Sequence, residues 1–313
     1  MQKRILSRLA VVAILLWNAA PAAYASAPSA VEDDSNFGFI SIREQGVNMK
    51  ATEEPYDMSG HTLGILHLSP FQLPKVTKQG TDDQVSASAQ KIMSELQPVE
   101  EAHKKGDWTT ALAGMRALYT NHPDLPFFGK WVAIYQNRTH NYKESLATIA
   151  QLREAWPLDK EIQNSFVSDY YTLDNVRRMG DQETADRLLT LMKDKMQKTK
   201  ANSMLDGTLD SVMKDEKVVG TLLSYQELML SMDATGEVSK PKLDKFWESI
   251  PKGQQKSLDR YYGFDLSDLE YVYGMTYARK DVLSAYVQQH QYDYDAGTIL
   301  RIRNAKKIIY GED

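Results

Sequence analysis

Two stretches of this chain, GDWTTALAGMRALYTNHP (Gly106–Pro123) and HNYKESLATIAQLREAWP (His140–Pro157), share little identity but one skeleton. Trp108 falls on Tyr142, Ala111 on Ser145, Leu112 on Leu146, Met115 on Ile149, Leu118 on Leu152 and Pro123 on Pro157, every pair offset by 34. An offset kept through so many positions demands the same supersecondary unit twice, because each residue type has a place to fill. The aromatic wedges the end of one helix against the next. The small residue sits where two antiparallel helices cross closely. The residues four and seven further on form the buried face of the second helix. The proline stops that helix, since it lacks an N–H and clashes with the preceding turn.

A looser third copy follows. Gly180-Asp181-Gln182 stands in for Gly106-Asp107-Trp108, Ala185 is the small residue, and Leu189 and Met192 are the buried face. This pattern resembles the tetratricopeptide repeat (TPR), with units at Ile92–Leu125 and Pro126–Asp159. The chain departs from the family in four places. Gln182 lies 40 residues after Tyr142, which predicts a longer first helix or an extended loop. The third copy has no closing proline. Pro98 predicts a kink in the first helix or marks its start. Ala102 and Gln136 stand where the family commonly carries a bulky aromatic.

The resemblance implies a protein-binding groove on the concave side of a stack, lined by the first helix of each hairpin. By position it puts Glu100, His103 and Lys104 there from the first unit, and Lys130, Ile134, Asn137 and Arg138 from the second. Lys104, Lys130, Asn137 and Arg138 combine cations with an amide donor, a set suited to a peptide carboxylate. An ordinary solvated face is the plainer reading of the same positions.

The ends of the chain frame this array. Lys3, Arg4 and Arg8 precede an apolar run from Leu9 to Trp17, and Ala23-Tyr24-Ala25 is an A-x-A site. That is the tripartite pattern of a secretory signal cleaved after Ala25, and the run is too short to span a bilayer, which takes about 20 residues. Its Ala-rich form suits a Gram-negative periplasm, or secretion. Eukaryotic secretion would make Asn137-Arg138-Thr139 a glycosylation sequon. Cleavage removes three of the 37 basic residues and none of the 42 acidic ones, leaving a net charge of about −8. An acidic surface argues against nucleic acid, whose phosphates need Lys and Arg clusters. The chain has no cysteine, which excludes disulfides, thiolate metal sites and a cysteine nucleophile.

Residues 26–83 read as an irregular lead, a small β hairpin and a linker. Phe37–Arg43 alternates, Glu44-Gln45-Gly46 turns, Val47–Lys50 returns, and Thr62–Leu68 is a third strand candidate. Residues 84–200 hold the TPR-like repeats. Residues 201–313 show no repeat but carry helical stripes, such as Leu243, Phe246, Trp247 and Ile250, and then Leu266, Leu269, Val272 and Tyr273. The predicted fold is therefore all-α, a TPR-like α-solenoid of helical hairpins with a small β-rich or irregular N-terminal arm.

Catalytic and metal signatures are sparse. Ser231–Lys242 resembles an EF-hand loop around Gly236, but Ser231 replaces its first acid and Lys242 its bidentate acid, so it reads as a metal-free helix–loop–helix. His61 and His67 share a strand face at a distance, and His103, His122, His140 and His290 stand singly. No H-E-x-x-H, G-x-S-x-G or P-loop occurs. Asp293 and Asp295 read as an acidic cap on the last helix. The late tyrosines, from Tyr261 to Tyr294, suit an interface, a glycan or the half-buried edge of a helical array.

These readings assign no catalytic, cofactor or metal residue, and no cofactor. The expected function is an exported, non-enzymatic scaffold that binds a protein or peptide in the cell envelope, with no nucleic-acid partner and no membrane span after cleavage. Two alternatives stay open. One is an all-α envelope hydrolase acting on cell-wall glycan, which requires two acids in a cleft with one raised pKa. The other is a subunit of a secretion or surface-assembly machine.

Overall fold

In the computed structural model the described residues are 39–42, 47–50, 52–56, 82–207, 209–250, 252–253, 255, 258, 264–293 and 295–311. The expected cleavage site, the strand candidate at Thr62–Leu68, and His61 and His67 lie outside them. The described chain is overwhelmingly helical. It begins with two short strands, β1 (Phe39–Ile42) and β2 (Val47–Lys50), paired antiparallel with Phe39 opposite Lys50 and Ile42 opposite Val47.

The first hairpin joins α1 (Asp82–Lys105) to α2 (Trp108–Asn121). Ile92, Leu96, Val99 and Ala102 of α1 are buried, as are Ala111, Met115 and Leu118 of α2. Pro98 neither ends α1 nor starts it. The helix runs through it, starting at Asp82, with Pro98 on the exposed face. The second hairpin joins α3 (Pro126–Arg138) to α4 (Tyr142–Ala155). Both α2 and α4 end just before their prolines, Pro123 and Pro157. Between the second and third hairpins, α5 (Lys160–Gln163) is capped by Asp159 and absorbs the extra residues that lengthened the repeat spacing. The third hairpin joins α6 (Phe166–Arg178) to α7 (Gln182–Asp206).

The three small residues do what their positions require. Ala111, Ser145 and Ala185 are fully buried where the helices cross. Ser145 Oγ turns that contact into a hydrogen bond, donating to the Ala133 carbonyl of α3 at 2.7 Å. Gly129 is closer still: a Cβ there would lie 2.6 Å from Leu152 and 3.0 Å from Tyr119, so α3 is wedged against both α4 and α2.

Beyond α7 come α8 (Leu209–Thr235), α9 (Lys240–Ser249), α10 (Leu266–Thr276), α11 (Lys280–His290) and α12 (Ala296–Tyr310). α8 packs on α7, α9 and α10, α11 packs on α10 and α12, and α12 also returns to pack on α6. The hairpin α10–α11 uses the turn found in the first three. At Gly106, His140, Gly180 and Ala278 the backbone is left-handed. Each of these residues donates its N–H to the carbonyl three back, and the next residue donates to the carbonyl five before it. A repeated turn thus reaches into residues 201–313, where the side-chain pattern showed none.

Candidate functional site

The residues expected to line a peptide groove do not form one. Lys130, Ile134 and Asn137 are buried, because α3 is covered on all sides by α2, α4 and α6. Lys130 Nζ donates to the Glu161 carbonyl at 2.9 Å. Asn137 Nδ2 donates to Asp174 and Asn175, at 2.9 and 2.8 Å, so it is no glycan acceptor. Arg138 lies over the Trp108 ring, 5.7 Å from its centroid. Lys104 alone stays well exposed, 3.9 Å from Glu100 on its own helix. His103 fills a box of aromatic rings made by Trp108, Trp131 and Tyr135, with centroids 5.2–5.7 Å away. Burial, aided by Arg138 and Lys104, lowers its pKa to about 4.

The helix that closes the groove is α6. All thirteen of its residues are buried, charged ones included. Buried polar groups need partners, and α6 finds them on three later helices. Asp174 accepts from Arg177, Arg178, Gln226 of α8 and Asn137 of α3. Arg177 also donates to Asp233 of α8 at 3.0 Å. Arg178 also donates to Asp268 of α10 at 2.9 Å. Arg301, from α12, donates to both oxygens of Asp233 and to Asp268. Tyr225 adds its hydroxyl to Asp268 at 3.0 Å.

Three guanidiniums thus face three carboxylates in one buried lattice. Burial works against ionisation of the acids, yet the guanidiniums hold Asp174 and Asp268 below the ordinary 3.8. Burial likewise opposes the charge on Arg177, Arg178 and Arg301, and the aspartates push their pKa values up. Asp174, Asp268 and the three arginines are thereby each held in their charged form. The lattice fastens α6, α8, α10 and α12 together. Asp233 explains the EF-hand-like stretch as well: α8 continues to Thr235, and the carboxylate that would have faced a loop cation points inward to two arginines.

A second buried set surrounds Asp169, also on α6. It accepts from Arg153 and from Lys195, the latter at 2.8 Å, and from the hydroxyl of Tyr56 at 3.1 Å. Burial opposes its ionisation, but Arg153 and Lys195 hold its pKa below the ordinary value. Among the described residues, every acid with a displaced pKa is held low. No group of three or more His, Cys, Asp or Glu there could hold a metal ion.

An open concavity among the described residues lies elsewhere, between α9, α10 and α11. It has a volume of about 500 Å³ and is lined by Trp247, Gln255, Leu258, Leu266, Leu269, Glu270, Tyr273, Val282 and Ala285. Leu266 and Tyr273 stay 44% and 37% exposed at its edge. Arg279 and Lys240 lie over Tyr273 and Tyr277, which pack on each other with centroids 4.9 Å apart. The tyrosines divide between two uses. Tyr271 and Tyr286 are core, while Tyr273 and Tyr292 face solvent. Asp295 caps α12 through the Thr298 N–H, and Asp293 pairs with His290 instead.

The Leu266, Leu269 and Tyr273 stripe was visible in the sequence as helical periodicity, though not as an open surface. Tyr56 and Lys195 carried only a weak signal, one tyrosine behind Glu-Glu-Pro and one lysine on a long helix. No helix among the described residues is long and apolar enough to cross a membrane. Comparison of the chain with protein-family models, curated proteins and solved structures gives no match.

Proposed function

We propose that this chain is an exported, non-enzymatic helical-repeat scaffold of the cell envelope, TPR-like in construction, that binds a protein or peptide. The recurring left-handed turn at Gly106, His140, Gly180 and Ala278 supports a stack of equivalent hairpins. The signal-like N-terminus supports export to a periplasm or beyond. The observation that carries the binding role is the apolar cleft of α9–α11, rimmed by exposed Leu266 and Tyr273. A concave apolar surface with few polar groups and an aromatic at its edge suits an anchoring side chain of a partner.

The test is site-specific photocrosslinking in the envelope fraction. A photoreactive phenylalanine replaces Tyr273 in one variant and Tyr310, exposed outside the cleft, in another. A discrete protein adduct is expected from position 273 and not from 310. Adducts from neither position, in a chain that is exported and folded, would overturn the reading.

A further inference from the structure

Thr52–Tyr56 packs on the helical stack by contacts that resemble those of a bound peptide. Tyr56 is 4% exposed, in a socket walled by α6 and α7. Its ring meets Phe166 edge-on at 5.3 Å, and Lys195 Nζ sits 4.2 Å from the ring centroid. Its hydroxyl donates to Asp169 and its backbone N–H to Thr199 Oγ1 at 2.7 Å. Upstream, Lys198 Nζ donates to the Glu53 carbonyl at 3.2 Å and lies 3.5 Å from its carboxylate. Asn164 Nδ2 donates to the Glu54 carboxylate at 3.0 Å.

The host therefore reads a backbone donor, a backbone acceptor, two acidic side chains and one aromatic anchor. That combination of main-chain bonds and a pocketed side chain is how grooves recognise extended peptides. The electrostatics agree. Arg153 and Lys195 bring two cations to the socket and Asp169 one anion, and Lys198 stands at its entrance. An acidic segment is the complement. Residues 57–81 separate Tyr56 from α1 along the chain, so the segment is covalently tethered to the stack.

We propose that the α6–α7 socket is a recognition site for an extended acidic peptide carrying a tyrosine anchor, which the chain fills in cis with its own residues 52–56. The same segment supplied in trans takes the site when the resident tyrosine is removed. This inference stands on the socket's contacts and is independent of the α9–α11 cleft.

The probe is a fluorescein-labelled peptide of residues 50–58, followed by fluorescence anisotropy against the full chain. Tethering gives the resident segment an effective concentration on the order of millimolar, so Tyr56→Ala should raise peptide affinity by at least about ten-fold over wild type. Adding Lys195→Met, or replacing the peptide's tyrosine with alanine, should abolish that gain. Equal binding to wild type and Tyr56→Ala would overturn the proposal, as would no binding to a Tyr56→Ala chain that keeps its helical circular dichroism and cooperative melting. Should Tyr56→Ala fail to fold, Glu53→Lys/Glu54→Lys loosens the resident segment from exposed positions. A folded double variant with no affinity gain for the wild-type peptide would equally overturn it.

Discussion

Arg301 enters the interior from the last helix and is 2% exposed, with its guanidinium shared between Asp233 and Asp268. Three guanidiniums meet three carboxylates among the fully buried groups of the lattice, with the partly exposed Asp265 3.6 Å from Arg178 at its edge, so Arg301 is the clearest residue to perturb. Arg301→Met leaves one carboxylate in excess in a buried site, and breaking a buried pair in this way costs about 3–5 kcal/mol. Urea unfolding should show that loss. Arg301→Met/Asp233→Asn restores two charges against two and should recover part of it. If the single and double variants are equally unstable, charge balance is not what Arg301 supplies. Half of this arrangement was legible: Asp174, Arg177 and Arg178 stand at i, i+3 and i+4 on a helix, where opposite charges meet. The other half was not. Asp233, Asp268 and Arg301 come from far along the chain, and periodicity reports only on local neighbours. The same blindness put Asn137 and Lys130 in an open groove, because nothing in α3 announces that α6 will cover it.

At the scale of the element, the side-chain pattern and the backbone turn carry different information. Trp108 with Tyr142, Ala111 with Ser145 and Ala185, and the two closing prolines marked the hairpins because packing constrains those residue types. The α10–α11 hairpin escaped notice because its turn holds Ala278 where two others hold glycine, although the backbone geometry is the same. Ala278 has φ 51°, a left-handed conformation that crowds the Cβ of an L-residue. Ala278→Gly relieves that crowding and should raise stability by about 1 kcal/mol, read as a higher urea midpoint. Ala278 is a cleaner test than His140, whose ring stacks on Tyr142 with centroids 5.7 Å apart and would be lost with the substitution. A drop in the midpoint of Ala278→Gly would show that the turn is not strained.

For the molecule as a whole, the displaced pKa values set the course of acid unfolding. The pKa of His103 falls from 6.5 to about 4 in the fold, so the unfolded chain takes up its proton first as pH drops. Stability from that source is complete above about 6.5 and is lost between about 6.5 and 4. Asp169, Asp174 and Asp268 are held below 3.8, so their contribution is complete above that value and disappears only at lower pH. The two processes occupy different windows and different ends of the fold. His103 sits in the aromatic box of the first two hairpins, while the aspartates centre on α6 and its ties to α7, α8, α10 and α12. Unfolding free energy measured between pH 7.5 and 4.5 should therefore fall in the wild type and fall less in His103→Gln. Below about pH 4 both chains should lose stability steeply together. If the two curves stay parallel through the upper window, the neutral imidazole is not what the aromatic box selects. If instead the His103→Gln chain keeps its stability below pH 3, the aspartates of α6 do not hold the C-terminal helices in place.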